Sequence, residues 1–415
     1  MTPFQLGAIL MTLVALAGWA NVKLLRLPNG VAMLLAGLTG ALILFVIQTL
    51  WPGAPLVARI YELINGIDFA QTVTGYLLAF LLFAGAMQVD LAELRRRWIP
   101  VATLATLGVA GSIFIVGLSM WAIAGLLGIP LSLPWALVFG ALISPTDPVA
   151  VLATVRHGGL VKSLQAILEG EALFNDGVGI VAFTALVAVA TGVGDVSPAA
   201  AIGAVVLEAL GGLVVGVVAA FVVIRIMHTM EEFAVEVAAS IALAMGVYAG
   251  AQALGLSGAI AVVGAGMIYG SDHGKRAMGG ETEPYMKAFW TLVDEIFNAL
   301  LFLLLGVEML TVPFAGHQIW LLLAAPVLVV LARLAVTLPW GSYYTLRLRT
   351  PGAVPILTWG GLHGALSLAL ALSVPPGPER GLLLSITYVV VAFSITVQGL
   401  SFGPLVKWLK RRAPA

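Results

Sequence analysis

Oxygen-bearing side chains cluster on two apolar segments that follow one another in the chain, and they are the residues best suited to chemistry. These residues are Ser144, Thr146 and Asp147 on the first segment and Glu171, Asn175 and Asp176 on the second. Carboxylate, amide and hydroxyl oxygens are the ligands that hard cations prefer. One carboxylate in a narrow site can hold a proton or a cation, but not both. We therefore expect Asp176 to alternate between a proton and an alkali cation.

Four ionisable residues lie deep within their apolar segments. Half of a bilayer core is about 15 Å, or roughly ten helical residues. Counted from the segment ends, Asp147, Asp176 and His363 fall near the middle, and Arg333 lies about one turn to the predicted cytoplasmic side. Ionisable groups at such depth are costly and are generally functional or paired. The alternative interpretation is that Asp176 forms a purely structural ion pair, for example with Arg333.

The composition of the 415 residues is that of a membrane protein. Hydrophobic residues make up 61% and charged residues 10%, with a mean hydropathy of +1.07, whereas soluble domains average about 25% charged residues. This excludes a soluble globular chain, a disordered chain and a nucleic-acid-binding protein. There is no cysteine, and the five histidines are far apart, which leaves no metal-ligand spacing. Because no cofactor motif or credible catalytic set is present, we expect neither an enzyme nor a resident cofactor.

Thirteen apolar stretches approach the length of about 20 residues that a bilayer crossing needs, and they predict an all-α polytopic membrane protein. The stretches are Phe4–Ala20, Val31–Leu50, Thr72–Met87, Ile99–Ala124, Trp135–Val155, Leu164–Ala190, Ala201–Ile224, Val237–Leu254, Leu256–Tyr269, Ala288–Leu310, Ile319–Leu338, Val354–Val374 and Gly381–Trp408. Only Gly255 divides the eighth stretch from the ninth, so these two could instead form one helix.

The basic residues predict the orientation in the membrane. Of the 20 lysines and arginines, 17 fall in the C-terminal tail or in loops that follow an odd-numbered stretch, and only Arg59 and Arg380 fall in the other loops. By the positive-inside rule, the N-terminus is outside and the C-terminus is cytoplasmic. The alternation would be lost with one helix more or fewer, which favours thirteen.

The fifth and twelfth stretches each contain residues that interrupt a helix. Ile143–Pro148 carries two prolines, which remove backbone donors and clash with preceding carbonyls. Trp359–Gly364 carries three glycines. The two stretches are seven apart and run in opposite directions, which predicts six-helix inverted repeats (helices 1–6 and 8–13) with broken crossing helices 5 and 12 that meet near the midplane. The alternative is two unrelated kinks, since Gly and Pro are common in membrane helices.

Four motifs occur in a specific order along most of the chain. Thr146-Asp147-Pro148 in the broken fifth stretch is followed by Glu171-Ala-Leu-Phe-Asn175-Asp176 in the sixth, by Phe302-Leu-Leu-Leu-Gly306 in the tenth and by Gly360-Gly-Leu-His-Gly-Ala-Leu-Ser367 in the twelfth. Each motif alone is weak, but the ordered set resembles the monovalent cation/proton antiporters, in the branch that contains the NhaP-type proteins and the animal Na⁺/H⁺ exchangers.

The resemblance implies a homodimer with thirteen helices per chain and elevator-like alternating access. Scaffold helices 1–3 would occupy residues 1–98, and residues 192–311 would hold connector helix 7 and scaffold helices 8–10. The mobile core would consist of helices 4–6 (residues 99–191) and helices 11–13 (residues 312–415). The lack of a large cytoplasmic tail favours the prokaryotic plasma (inner) membrane. The resemblance implies a role in pH homeostasis.

The resemblance also assigns roles to the site residues. It implies that Na⁺ (or Li⁺) is exchanged for H⁺, with Asp176 and Thr146 as Na⁺ ligands. The wider ion- and proton-binding set is Asp176, Asn175, Asp147, Thr146 and Glu171, supported by His363, Arg333 and Ser144. Asp147 should offset the half-helix N-termini at the crossing. The Asn-Asp pair resembles the electroneutral branch of the family, which agrees with a single carboxylate that carries either load.

Two positions depart from the family pattern. Ala172 stands where the family usually has Ser, so one hydroxyl ligand is missing, and His363 stands where the family usually has Arg. A buried histidine need not be charged at pH 7, so Glu171 would lose a permanent partner. Either Arg333 replaces that partner or Glu171 stays protonated. His363 would then make activity more pH-dependent than in Arg-bearing relatives, unless it is a neutral packing residue.

Other functions remain open at this point. The nearest alternative keeps the fold and transports K⁺ instead of Na⁺ or Li⁺, and a gated cation channel is a less favoured one. Gly255-Leu-Ser257-Gly258 matches the short motif of rhomboid-like membrane proteases, but a nucleophilic serine needs a base within hydrogen-bond reach. Asp294 and Glu295, near the predicted cytoplasmic end of their helix, could line an entry funnel, although ordinary interfacial placement is favoured.

Overall fold

The protein, described here as a computed structural model, is built of helices. The structure describes residues 3–51, 68–147, 162–192, 198–229, 232–278, 282–309, 312, 316–350 and 352–412. Within these ranges the β-type pairing is limited to one isolated bridge, between Asp147 and Leu362. The main helices, numbered after the predicted stretches, are α1 (Pro3–Ala20), α2 (Asn29–Leu50), α3 (Phe69–Gln88), α4 (Trp98–Leu126), α5 (Leu133–Ile143), α6 (Lys162–Thr191), α7 (Pro198–Met227), α8 (Phe233–Ala253), α9 (Gly258–Tyr269), α10 (Thr282–Glu308), α11 (Ile319–Leu346), α12a (Ala353–Trp359), α12b (Ala365–Leu372) and α13 (Arg380–Arg412).

The outer faces of these helices are apolar. Ten helices in the described part of the chain are long and apolar enough to cross a membrane, and α5 and α9 are shorter apolar helices. Leu207 of α7 and Trp320 of α11 have 68% and 69% of their surface exposed. Because a surface rich in large exposed apolar side chains is stable only against lipid, the chain is an integral membrane protein. The total of thirteen crossings and the orientation of the termini stay predictions.

The eighth and ninth stretches form separate helices. Helix α8 ends at Ala253, and Gly255 has a φ of +69°, a left-handed conformation that favours glycine. Ser257 then caps α9, since its Oγ accepts a hydrogen bond from the backbone N–H of Ile260. The choice left open by the sequence is therefore settled by a tight turn at Gly255.

Both interrupted stretches leave the helical conformation at the residues that predict a break. Helix α5 has a proline in its first turn, where no intrahelical donor is needed, and it ends at Ile143, two residues before Pro145. The remainder of that predicted stretch, residues 148–155, lies outside the described residues. The twelfth stretch consists of α12a and α12b with a non-helical segment at residues 360–364 between them.

Helix α6 holds the two breaks in place. It packs against α5, α9 and both halves of the twelfth stretch. A β-carbon on Gly179 would come within 2.6 Å of Pro145 Cγ, so the α6 backbone lies directly on the first break. Ile180 of α6 packs against both apolar cores of the molecule, one centred on α5, α12b and α13 and the other on α3, α8 and α9. The site residues of α6 are therefore fixed between two packed regions.

Candidate functional site

The two non-helical segments, residues 144–147 and 360–364, cross each other and share hydrogen bonds. The backbone N–H of Asp147 donates to the carbonyl of Leu362 at 2.7 Å. His363 Nδ1 lies 3.1 Å from the carbonyl oxygen of Pro145, and because a carbonyl can only accept, Nδ1 carries the hydrogen. The His363 backbone N–H donates to Ser394 Oγ of α13 at 2.8 Å. His363, which is 4% exposed, therefore ties the two breaks together.

The carboxylate of Asp147 lies at the N-terminal end of α12b. Gly364 is the residue before that helix, and a β-carbon on it would come within 2.5 Å of Asp147 Oδ2. The unpaired backbone N–H groups at a helix start carry partial positive charge, which a carboxylate stabilises. Only glycine leaves room for this approach.

Asn175 of α6 binds the non-helical segment at residues 144–147 and so holds it against α6. Its Nδ2 donates to Thr146 Oγ1 at 2.7 Å, and its Oδ1 accepts from the Thr146 backbone N–H at 3.4 Å. Asn175 is fully buried and Thr146 is 5% exposed. The nitrogen and the oxygen of the Asn175 amide are thus both used to position Thr146. Ser144 Oγ donates to the Ala141 carbonyl at 3.0 Å and so caps the last turn of α5.

A cavity of about 280 Å³ lies between the break and helices α3 and α10. Three predicted ion-binding residues line it, namely Asp176, Asp147 and Thr146. Ala172, one helical turn before Asp176, lines it as well. Asp176 is half-buried, so its carboxylate meets both the protein interior and the cavity. This arrangement can hold a small hydrated or partly dehydrated cation between carboxylate and hydroxyl oxygens.

Glu171 lies away from this cavity, in an ion pair with Arg333 of α11. Arg333 Nη2 donates to Glu171 Oε2 at 2.7 Å, Nη1 donates to Oε1, and Nε donates to the Leu357 carbonyl at 3.3 Å. Glu171 is 1% exposed and Arg333 is 6% exposed. Of the two alternatives for Glu171, the structure therefore has Arg333 as its partner. The guanidinium is already paired with the Glu171 carboxylate and bonded to the Leu357 carbonyl, which argues against a structural ion pair between Arg333 and Asp176.

Polar residues outside the predicted ion-binding set also line this cavity. Glu169 lies seven residues before Asp176, and its Oε1 accepts from Gln165 Nε2 at 2.7 Å. Asp294 of α10 lines the cavity and accepts from Asn298 Nδ2 at 2.9 Å, which favours the entry-funnel alternative for this residue. The heptad spacing of Glu169 was a usable signal. For Asp294, no sequence signal distinguishes the face towards α6 from the face towards lipid or solvent.

Comparisons with known proteins agree over nearly the whole chain. A family model described as "Sodium/hydrogen exchanger, transmembrane" matches residues 10–408. The chain is 40% identical to the Na⁺/H⁺ antiporter NhaP of Pseudomonas aeruginosa, over 97% of this chain and 96% of that protein. It is 33% identical to the Na⁺/H⁺ antiporter NhaH of Halobacillus aidingensis, with the same coverage of both chains.

The fold is similar to that of a solved structure. The sodium proton antiporter MjNhaP1 from Methanocaldococcus jannaschii at pH 8 superimposes with a TM-score of 0.73, covers 99% of both chains and has 21% sequence identity. At that identity the likeness concerns the fold alone. It confirms an all-helical membrane architecture of the antiporter type.

Proposed function

The chain belongs to the sodium/hydrogen exchanger family, and we propose that it is a secondary antiporter that exchanges Na⁺ or Li⁺ for H⁺ across the membrane. Asp176 binds the cation and the proton competitively in this proposal. The observation that carries this proposal is the position of Asp176. It is half-buried and lines a cavity together with Asp147 and Thr146, beside the two helix breaks. The relatives named as Na⁺/H⁺ antiporters supply the identity of the substrates.

The charge arrangement favours an electroneutral exchange. Asp147 faces the N-terminal end of α12b, which offsets its charge without a proton. Glu171 is neutralised by Arg333. Among the three acidic residues of the wider predicted set, Asp176 is then the one whose charge a mobile ion must balance. One Na⁺ replaced by one H⁺ at a single carboxylate moves no net charge.

The cavity is formed by both parts of the proposed elevator. We assign residues 99–191 and 312–415 to a mobile core and residues 1–98 and 192–311 to a scaffold that would also form the homodimer. Asp176 and Asp147 line the cavity from the proposed core, whereas Gln88 and Asp294 line it from the proposed scaffold. A cavity at the boundary between the two parts is what vertical movement of one against the other requires.

The cavity leads towards the side that carries the basic loops. Gln88 is the last residue of α3, and Gln165 lies in the first turn of α6, about 16 Å along the helix from Asp176. In this proposal the positive-inside rule makes this side cytoplasmic, and the site is open towards the cytoplasm. In a bacterial plasma membrane, such a protein would contribute to pH homeostasis.

The direct test uses wild-type protein in liposomes that contain a pH-sensitive dye. An external Na⁺ pulse is expected to change the internal pH, and an equal change with the membrane potential clamped at zero would establish electroneutral exchange. Li⁺ and K⁺ pulses distinguish the cargo, and a response to K⁺ but not Na⁺ would identify a K⁺/H⁺ antiporter. A cation current without coupled proton movement would indicate a channel and contradict the proposal.

His363 provides a test of how the crossing responds to pH. Histidine is the side chain whose charge ordinarily changes between pH 5 and 8, and His363 lies at the crossing, where its Nδ1 donates to the Pro145 carbonyl. We expect His363→Arg and His363→Gln both to flatten the pH profile of exchange, because neither replacement titrates in that range. His228→Gln, at an exposed site, is the control. A profile that is unchanged in both variants would make His363 a neutral packing residue.

A further inference from the structure

Ser367, the third residue of α12b, has a buried hydroxyl beside the cavity. The residue is 1% exposed, and its Oγ has no hydrogen-bond partner among the residues that the structure describes. Ser367 lines the same cavity as Asp176 and Asp147. It also lies one helical turn after Gly364, which contacts the Asp147 carboxylate. The hydroxyl is therefore close to the charged end of the site.

The usual way to satisfy a serine in a helix is not used here. Serine Oγ commonly donates to the carbonyl three or four residues earlier. Two other serines in this part of the chain do so, since Ser373 Oγ donates to Leu370 at 2.7 Å and Ser385 Oγ donates to Gly381 at 2.9 Å. A buried hydroxyl without a partner is unfavourable. Such groups in native proteins generally have a reason, including an ion that binds there.

We propose that Ser367 Oγ is a ligand of the transported cation when the cation is bound at Asp176, an inference that rests on the proposed function. A hydroxyl oxygen is a hard, neutral ligand, which suits Na⁺ or Li⁺ and adds no charge. Ala172, on the α6 side of the same cavity, has no hydroxyl to offer. Ser367 supplies that hydroxyl from α12b instead.

A neutral ligand predicts a specific kinetic pattern. Loss of the Ser367 oxygen should weaken cation binding while Asp176 still exchanges one proton for one cation. We expect Ser367→Ala to raise the apparent KM for Na⁺ about ten- to a hundredfold at alkaline pH, the size expected for one lost polar contact to a charged group. The maximal rate and the insensitivity to membrane potential should be unchanged. The ratio of KM values for Li⁺ and Na⁺ should change, because the ligand set changes.

Three further variants separate a ligand from a packing role. Ser367→Thr keeps the hydroxyl and should retain a KM near that of wild type. Ser367→Cys has a similar size but offers sulfur, a poor ligand for hard cations, so it should raise the KM even if the alanine variant folds poorly. Thr387→Val is the matched control, since Thr387 is a fully buried hydroxyl, also without a hydrogen-bond partner among the described residues, that does not line this cavity.

The outcomes distinguish this inference from the proposed function. If wild type exchanges Na⁺ for H⁺ and neither Ser367→Ala nor Ser367→Cys raises the KM relative to Thr387→Val, the inference is overturned and the proposed function stands. A changed maximal rate with an unchanged KM would likewise assign Ser367 to packing. If wild type shows no cation-driven proton movement with Na⁺, Li⁺ or K⁺, the proposed function fails and the inference fails with it.

Discussion

Asp176→Asn is expected to abolish cation-driven proton movement in liposomes. Asparagine keeps the size and shape of the side chain, but an amide cannot take up and release a proton. We expect the rate of exchange to fall by at least about a hundredfold, which is the range for loss of an essential proton-transfer group. The folded state should be retained, because the carboxylate is half-buried and lines a cavity instead of forming part of an ion pair with Arg333.

A matched carboxylate-to-amide change makes this test specific. Asp68 caps the start of α3 by accepting from the Gln71 backbone N–H at 2.9 Å, and Asn can form the same cap. Asp68→Asn should therefore exchange Na⁺ and H⁺ at nearly the wild-type rate. Equal pH responses in wild type and Asp176→Asn would remove Asp176 from the mechanism, and most of the proposed site with it.

Much of the architecture could be predicted because each helix must by itself be long and apolar enough to cross the bilayer. Apolar length and the alternation of basic loops locate the helices. The breaks follow from local chemistry, since Pro145 cannot continue α5 and the glycines at 360–364 do not enforce a helix. The sequence also predicts Asp176 and Asp147 close together near the breaks, and both line the cavity.

The partners of the buried polar groups could not be predicted in the same way. Glu171 and Arg333 are separated by 162 positions, and the choice between Arg333 and His363 depends on how α11 packs on α6. His363 instead bonds to Pro145 across the crossing. The cavity-facing side of α10 is likewise a property of packing, because the same sequence pattern fits Asp294 at an interface or in a cavity. The position of a helix along the chain follows from its own sequence. The residue that a buried side chain contacts depends on how the helices pack, which that sequence does not specify.

The Glu171–Arg333 ion pair is the interaction whose disruption should most affect stability. Glu171→Gln removes one charge and leaves a buried guanidinium without its counter-charge. Breaking one partner of a buried ion pair typically costs about 3–5 kcal/mol. We therefore expect a large loss in the free energy of unfolding, measured by denaturant titration in detergent micelles. Glu93→Gln, which weakens a partly exposed pair with Arg97 at 3.2 Å, should cost only about 0–1 kcal/mol.

The double variant Glu171→Gln, Arg333→Gln tests whether the two charges act through each other. Removal of both partners leaves no uncompensated charge, so the double variant should be more stable than Glu171→Gln alone. Additive losses would show that the pair is not coupled and would contradict the contact. Exchange measured per folded molecule then separates two roles of Glu171. A double variant that still exchanges Na⁺ for H⁺ would make Glu171 a positioning residue, since its carboxylate lies on Arg333 and not in the cavity. A folded double variant without exchange would return Glu171 to the ion-binding set that the sequence predicts.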